Sequence, residues 1–191
     1  MSAWKSSIGQ SDEWYTPKYI FDALGCTFDM DVAAPVDRKH CHVPARTFLT
    51  ERSLGSRWIG FVWMNPPFGG RNSLSPWLGK FMAYGNGIAL TPDRTSAPWF
   101  RSAWPRADLV MFLPKVKFIR PDGSLGRQPG TGTALWAVGE RACRALLRAE
   151  RDGLGILAIP NCPSLWDRNG QEAAVSPVPS AAASERLKEH F

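Results

Sequence analysis

Six short apolar runs, separated by segments with helical patterns, place the strongest constraint on how this chain can fold. Each run has the length and the continuous apolar character of a strand in a sheet that is covered on both faces. The runs are TFDMDV (27–32), IGFVWM (59–64), GIALT (87–91), ADLVMFL (107–113), TALWAV (133–138) and LGILAI (154–159).

Four candidate helices lie between or beside these runs. Thr16 is predicted to be the N-cap of the first helix, with Pro17 at its first helical position and Gly25 at its end. The other three helices are predicted at residues 73–84, 97–104 and 139–153. Strands that alternate with helices indicate an α/β fold of three layers, built on a mostly parallel sheet.

Two segments rich in Gly, Pro, Ala or Ser do not fit this alternation. Residues 120–132 predict a mobile loop, and residues 169–191 predict a disordered C-terminal tail. The remaining residues, 1–168, are expected to form a single domain that is large enough to bury a sizeable core.

Charge and aromatic content indicate what kind of partner the chain would bind. The net charge is +6 and the isoelectric point is about 9.4, which favours a polyanionic partner, although a merely basic surface fits the charge equally well. Nine tryptophans and ten phenylalanines are enough to fill a core and also to contribute to a binding surface.

No sequence signal directs the chain to a membrane or to a metal. It has no run of roughly 20 apolar residues and no apolar signal-peptide core, so a cytoplasmic location is expected. The four cysteines lack C-x-x-C spacing and are interpreted as free thiols. His40, Cys41 and His42 are adjacent, but no second ligand cluster follows them, so no metal site is predicted.

The stretch FVWMNPPF (61–68) runs from a buried strand directly into a stiff corner. Prolines cannot donate to a sheet ladder, so the strand should end there, and ligands gather at strand carboxyl ends in α/β sheets. The side-chain carbonyl of Asn65 and the backbone carbonyl of Pro66 would accept two N–H groups from a planar amine. Phe68 would stack on a base that has been extruded from the duplex. An ordinary strand-ending turn is the alternative interpretation.

The tetrapeptide Asn65, Pro66, Pro67 and Phe68 resembles the D/N/S-P-P-Y/F signature of amino-group methyltransferases that use S-adenosylmethionine. The wider layout resembles the phage-type DNA adenine-N6 methyltransferase family over roughly residues 11 to 140. The matching elements are EWYTPKYIFDAL (13–24), FDMDVAAP (28–35), FVWMNPPFG (61–69), ALTPDRTSAPWF (89–100) and ADLVMFLPKVKF (107–118).

This resemblance implies a Rossmann-like three-layer sandwich that transfers a methyl group from S-adenosyl-L-methionine to N6 of adenine in DNA. It also implies a phage or prophage origin, direct transfer without a covalent enzyme intermediate, and no metal. The residues it assigns to catalysis are Asn65, Pro66, Pro67 and Phe68.

The same resemblance assigns a second group of residues to the cofactor: Thr16, Pro17, Asp31, Ala33 and Ala34. A helix N-terminus attracts a carboxylate, and a carboxylate at a strand end binds an amino or hydroxyl group. The alternatives are a plain helix cap for Thr16 and Pro17, and a solvated loop charge for Asp31. The sequence DMDVAAP lacks the glycine-rich F-x-G-x-G of many methyltransferases, and the glycines of PGTGTALWAVG (129–139) precede a strand rather than follow one.

Basic residues that follow the GIALT and ADLVMFL strands are candidates for contacts with DNA phosphates: Arg94, Lys115, Lys117, Arg120 and Arg127. Phe118 lies among them, and basic residues interleaved with an aromatic suit a surface that follows a phosphate backbone. The alternatives are a solvated basic loop, and an internal Asp93–Arg94 pair with Trp99 in the core. Pro114-Lys115 stands where the family often has Gly-Arg.

Related functions remain open at the level of sequence. A similar planar amino group occurs on cytosine N4, on RNA bases and on a protein glutamine, so each is an alternative substrate. A noncatalytic relative that binds nucleic acid is a further alternative, because the glycine-rich motif is absent.

Overall fold

The computed structural model describes residues 14–69, 73–127 and 130–160. Its helices are α1 (Lys18–Leu24), α2 (Leu74–Tyr84), α3 (Pro98–Ala103) and α4 (Glu140–Arg151), with a 3-10 turn at Trp104–Arg106. Its strands are β1 (Phe28–Asp31), β2 (Ala45–Phe48), β3 (Val62–Met64), β4 (Gly87–Pro92), β5 (Leu109–Leu113), β6 (Thr133–Val138) and β7 (Ile156–Ala158).

The α/β class and every helix and strand predicted from the sequence are confirmed. The described part of the predicted loop at 120–132 contains no helix and no strand, only a single bridge between Ile119 and Leu125. The end of the predicted domain at residue 168 and the predicted tail at 169–191 lie outside the described residues.

Seven strands form one sheet in the order β2-β1-β3-β4-β6-β5-β7. The pairings among β2, β1, β3 and β4 are parallel, as predicted, whereas the three pairings that involve β5, β6 and β7 are antiparallel. The difference arises because the described residues between β5 and β6 contain no crossover helix. The chain returns through the Gly- and Pro-rich segment and pairs β6 antiparallel to β5.

Two apolar clusters cover the sheet. One contains buried residues of α1 and α4, with Phe28, Trp63 and Met111 from the strands. The other contains buried residues of α2 and α3, with Met64 and Trp136 from the strands. Helices α1 and α4 contact each other, as do α2 and α3. Because successive side chains of a strand point to opposite faces, the continuous apolar runs supply both clusters.

The start of α1 differs from the prediction. The N-cap is Pro17, in an extended conformation, and the first helical residue is Lys18, so Thr16 is not the cap and Pro17 is not inside the helix. The Thr16 hydroxyl instead contacts the side chain of Asn65. The predicted helix end is confirmed: Gly25 has a φ of 58°, which glycine adopts readily, and its N–H donates to the Phe21 carbonyl.

Cys26, Cys41 and Cys143 are free thiols, and Cys162 lies outside the described residues. Within residues 14–69, 73–127 and 130–160, no helix is long and apolar enough to cross a bilayer. The same residues contain no group of three or more His, Cys, Asp or Glu side chains placed to hold a metal ion.

Candidate active site

The carboxyl ends of β1, β3, β4 and β5 meet at one edge of the sheet. The first three strands are parallel neighbours, and β5 runs in their direction because β6 is antiparallel to both β4 and β5. A cavity of about 310 Å³ opens beside the ends of β1 and β3. The site therefore lies where strand direction in an α/β sheet places it.

Eight of the residues predicted for catalysis or for the cofactor line this cavity: Thr16, Asp31, Ala33, Ala34, Asn65, Pro66, Pro67 and Phe68. Pro17 is buried and is not among the lining residues, and neither are the five basic residues predicted to contact DNA. The structure thus brings together two groups that are separated in sequence, while their individual roles stay predictions.

The Asn65 side chain is held by the segment that precedes α1. Its amide nitrogen Nδ2 donates to the Trp14 backbone carbonyl at 3.0 Å and to the Thr16 hydroxyl at 3.3 Å. Asn65 also lines the cavity, so with Nδ2 engaged in this way the amide oxygen is the polar atom that it would offer to a ligand. An acceptor that is fixed before the ligand arrives needs little reorganisation on binding.

Tyr15, which lies between Trp14 and Thr16 in the chain, is held in place by hydrogen bonds. Tyr15 and Ile119 pair through two backbone hydrogen bonds, each of 2.9 Å, and the Tyr15 hydroxyl donates to the Asp37 carbonyl at 3.0 Å. Tyr15 is only 4% exposed. Residues 14–16, which we name the strap, therefore connect the cavity to the segment that follows β5.

Phe68 forms a half-buried aromatic wall of the cavity. Phe118, which is buried in the segment after β5, meets it edge to face, with ring centroids 6.3 Å apart at 81°. This contact restricts the motion of the Phe68 ring and is a favoured geometry for two aromatic side chains.

Asp31 ends β1 and is only 2% exposed. One carboxylate oxygen accepts the Ala33 N–H at 3.1 Å. Burial raises the pKa of Asp31 to about 7, because a charge is disfavoured away from water, and the hydrogen bond from Ala33 opposes this only in part. The alternative of a solvated loop charge does not apply to this carboxylate.

Trp63 supplies a second polar group without a full set of partners. It lies on β3 in register with Asp31 and lines the cavity. Its indole N–H is buried and has no hydrogen-bond partner within the part of the chain that the structure describes. A buried donor without a partner is costly, so a ligand acceptor that reached this N–H would be bound favourably.

The comparison with protein families agrees with this geometry. Residues 5–139 match the model of the DNA N-6-adenine-methyltransferase (Dam) family. The chain belongs to this family. No curated protein and no solved structure matches it significantly. The family match spans the strap, Asp31, the Asn65–Phe68 corner and the basic segment after β5.

Three residues that line the cavity were not predicted from the sequence. Glu51, Arg52 and Ser53 line it, and they follow β2, a strand that was not predicted. An edge strand is only partly buried, so Ala45–Phe48 has no continuous apolar run. The Thr and Phe of ARTF, directly after a proline, were the available signal.

A lysine on α2 holds the loop that carries these residues. Lys80 Nζ donates to the backbone carbonyls of Ser53, Leu54 and Ser56 at 2.8, 3.1 and 2.5 Å. It also lies 4.4 Å from the ring centroid of Trp58, whose indole N–H donates to the Ser53 carbonyl. We name residues 51–58 the clamped loop, because one ammonium group satisfies three of its carbonyls.

The backbone of the clamped loop adopts an unfavourable conformation at Arg52. Its φ of 50° lies in the left-handed region, which a side chain other than glycine seldom adopts. The Arg52 carbonyl accepts the Gly55 N–H at 2.9 Å and the Ser56 hydroxyl at 3.0 Å. Such a conformation persists where surrounding contacts over-determine it, often beside a functional site.

The basic residues predicted to contact DNA lie beside the site and not in it. Arg94 follows β4, whereas Lys115 and Lys117 follow β5, and all three are exposed. Arg120 is half-buried, and Arg127 is exposed. Trp99 is buried in the core, so the packing alternative proposed for its side chain is confirmed.

The burial of Asp31 predicts a pH-dependent stability. Its folded pKa of about 7 lies above the value of about 3.9 for an exposed Asp, so the folded state retains the proton longer. The associated stabilisation is complete below the unfolded pKa and is lost as the pH rises through the folded pKa. The parent should therefore lose stability as the pH rises, whereas Asp31→Asn lacks this titration. The free energy of unfolding of Asp31→Asn, measured relative to that of the parent, should increase by about 3 kcal/mol from about pH 5 to about pH 8, at about 1.4 kcal/mol per pKa unit. Urea denaturation at the two pH values measures this difference.

Asp22→Asn is the matched control, because Asp22 is an exposed carboxylate paired with Lys18 on α1. The loss of this exposed surface pair should change the free energy of unfolding by less than about 1 kcal/mol. A difference between the parent and Asp31→Asn that stays constant with pH would contradict the burial of a titrating carboxylate.

The clamped loop generates a second prediction. Lys80→Met keeps most of the alkyl chain but removes the ammonium, so the free energy of unfolding should fall by about 1–3 kcal/mol, as for charge-assisted hydrogen bonds. Trypsin should also cut faster at Arg52 and Arg57, because the loop opens locally. Lys18→Met, which removes an exposed surface ion pair, should cost less than about 1 kcal/mol. Equal effects of the two substitutions would show that the clamp contributes no more than a surface pair.

Proposed function

We propose that the protein is a site-specific DNA methyltransferase that uses S-adenosyl-L-methionine to methylate N6 of adenine in DNA. The observation that carries the proposal is the Asn65 amide. Two acceptors hold its nitrogen, which leaves its oxygen to a ligand in a cavity that also contains Asp31. Membership of the DNA N-6-adenine-methyltransferase family supports the reaction class.

The role of Asn65 follows from the chemistry of the acceptor amine. The lone pair of an exocyclic amino group is delocalised into the base, so the nitrogen is a poor nucleophile. Two acceptors, the Asn65 Oδ1 and the Pro66 carbonyl, would bind its two N–H groups and favour a tetrahedral nitrogen with an available lone pair. The rings of Pro66 and Pro67 restrict the backbone at this point, so the acceptors stay in place during the reaction.

Phe68 would supply the surface on which the target base stacks. A base must leave the duplex before its amino group can enter a cavity, and stacking on an aromatic side chain offsets part of the cost of unstacking. The edge contact with Phe118 keeps the Phe68 ring in a fixed orientation while the base binds.

The polar groups that line the cavity suit S-adenosyl-L-methionine. Asp31 would bind an amino or hydroxyl group, the Trp63 indole N–H would donate to an acceptor, and Glu51 would accept from hydroxyl groups. Ala33 and Ala34 leave room for a ligand close to the backbone. When bound, the cofactor supplies an electrophilic methyl group. A cationic amino group next to Asp31 would also lower the pKa of this carboxyl and keep it ionised.

The basic segment after β5 is the proposed contact with the phosphate backbone. Lys115, Lys117 and Arg127 are exposed, and the strap joins this segment to the cavity wall through the Tyr15–Ile119 pairing. Arg94, at the end of β4, and Arg120 complete the set. Phosphate contacts fix the register of a protein on DNA, so they would place the target base over the site.

The finer description of the fold also belongs to this proposal. We infer a Rossmann-like three-layer sandwich of the phage-type adenine methyltransferases. Two apolar clusters, one with α1 and α4 and the other with α2 and α3, support this arrangement.

Asn65 provides the decisive test of function. Asn65→Ala should slow methyl transfer by about 100-fold or more, as when one preorganised polar contact is removed, because the amine loses an acceptor. Phe68→Ala should also slow transfer through lost stacking of about 1–3 kcal/mol, whereas Phe68→Tyr should keep substantial activity, because the flat face survives. Single-turnover rates on an adenine-containing oligonucleotide measure the effect, with N6-methyladenine identified in the product.

Melting curves and calorimetry with S-adenosyl-L-methionine provide the controls for this test. Asn65→Ala should fold and bind the cofactor almost as the parent does. A normal rate for Asn65→Ala would refute the amine clamp and favour the ordinary-turn interpretation. A parent protein that binds no cofactor at millimolar concentration would support a noncatalytic nucleic-acid-binding protein. Methylation of another amino group would redirect the substrate assignment.

Binding to DNA should depend steeply on salt. Contacts between basic side chains and phosphates release counterions, so the dissociation constant for duplex DNA should rise strongly from low to physiological salt. Lys117→Ala should reduce the slope of log affinity against log salt by about 1. Arg151→Ala, an exposed substitution at the end of α4, should leave the slope unchanged. Fluorescence anisotropy over a salt series measures both slopes, and a flat salt response of the parent would refute the electrostatic contact.

A further inference from the structure

The side-chain amide of Asn65 can adopt two orientations. Rotation by roughly 180° about its terminal torsion exchanges the nitrogen and the oxygen, which have opposite hydrogen-bonding roles. Only the state with Nδ2 toward the strap presents Oδ1 as an acceptor on the other side. An amine clamp works only in that state, so the protein needs a device that favours it.

The Trp14 carbonyl distinguishes the two states because it only accepts hydrogen bonds. It accepts from Asn65 Nδ2 at 3.0 Å, and a rotated amide would set two oxygens against each other. The Thr16 hydroxyl supplies a second acceptor for the same nitrogen at 3.3 Å, and Thr16 is only 2% exposed. The two contacts come from residues on either side of Tyr15 and meet one nitrogen.

The geometry points to Thr16 as a positioning residue, which acts with the Trp14 carbonyl to hold Asn65 Oδ1 toward the cavity. This inference deepens the proposed function and depends on it for the role of Asn65. It gives Thr16 a task that differs from capping α1, since Pro17 occupies the N-cap. The strap is rigid enough for this task, because Tyr15 is buried and paired with Ile119.

Removal of the hydroxyl should affect the rate more than the cofactor affinity. Thr16→Val preserves the shape of the side chain but places a methyl group against Asn65 Nδ2. At saturating S-adenosyl-L-methionine and DNA, its single-turnover rate should fall about 3- to 10-fold, the equivalent of one neutral hydrogen bond. Its dissociation constant for the cofactor should stay within about 2-fold of the parent value, which one neutral hydrogen bond lost directly to the cofactor would exceed. Thr16→Ser keeps the hydroxyl and should restore most of the rate.

A second measurement reports on the amide without any ligand. The side-chain NH₂ group of Asn65 gives a pair of signals in an amide NMR spectrum, which are assigned by their loss in Asn65→Ala. In the cofactor-free parent these protons should exchange slowly with solvent, and in Thr16→Val they should exchange faster and shift. Thr47→Val is the matched control, because the Thr47 hydroxyl donates to the Asp29 carbonyl at an exposed position that does not line the cavity.

A double substitution separates positioning from direct binding. In the Asn65→Ala background, Thr16→Val should cause no further loss of rate, because the amide that it positions is gone. Full additivity, or a Thr16→Val protein with a weakened cofactor affinity and a normal saturated rate, would overturn the inference and make Thr16 a direct cofactor ligand. Unchanged Asn65 signals in Thr16→Val would overturn it as well.

The failure of this inference is distinguishable from failure of the proposed function. A normal rate for Asn65→Ala refutes the amine clamp, whatever the Thr16 variants do. A slow Asn65→Ala protein with a normal Thr16→Val protein refutes only the positioning role.

Discussion

The hydrogen bond from Asn65 to the Trp14 carbonyl is the interaction on which the candidate site depends. It joins residues that are 51 positions apart in the chain, at the end of β3 and just before α1. It forms only because the sheet places the end of β3 beside the strap, and because the Tyr15–Ile119 pairing holds the strap there. The orientation of the Asn65 amide therefore depends on the strap, and the position of the strap depends on the sheet.

Two buried polar side chains at the same edge of the sheet, those of Asp31 and Trp63, line the cavity. Asp31 and Trp63 lie in register on neighbouring strands, and their side chains carry a carboxylate acceptor and an indole N–H donor. Each is costly to keep away from water without a full set of partners. A ligand with an amino group and a separate acceptor would satisfy both, so the stability of the free protein and its affinity for such a ligand are linked.

The walls of the cavity are fixed from outside by groups that do not line it. Lys80 and Trp58 hold the clamped loop on one side, and Phe118 and Ile119 hold Phe68 and the strap on the other. The second pair belongs to the same segment as the basic residues proposed to contact DNA. A phosphate backbone bound there would therefore lie beside Phe118, which contacts Phe68, and Ile119, which pairs with the strap.

The sequence alone determined the elements that depend on local pattern: six apolar strands, four helices, the Gly25 helix end and the abrupt stop of β3 at Pro66. It also identified Asn65 and Phe68 as candidates, because a strand that ends in a stiff aromatic corner is visible in one dimension, and the family resemblance added Asp31. Only the tertiary structure decided the pairing of β6 with β4 and β5, the use of Thr16 against Asn65 and not as a helix cap, and the presence of β2. The sheet pairing and the Thr16–Asn65 contact join residues that are distant in the chain, so no local pattern predicts them. The edge strand β2 has half its side chains in solvent, so its sequence lacks the apolar run by which the other strands were predicted.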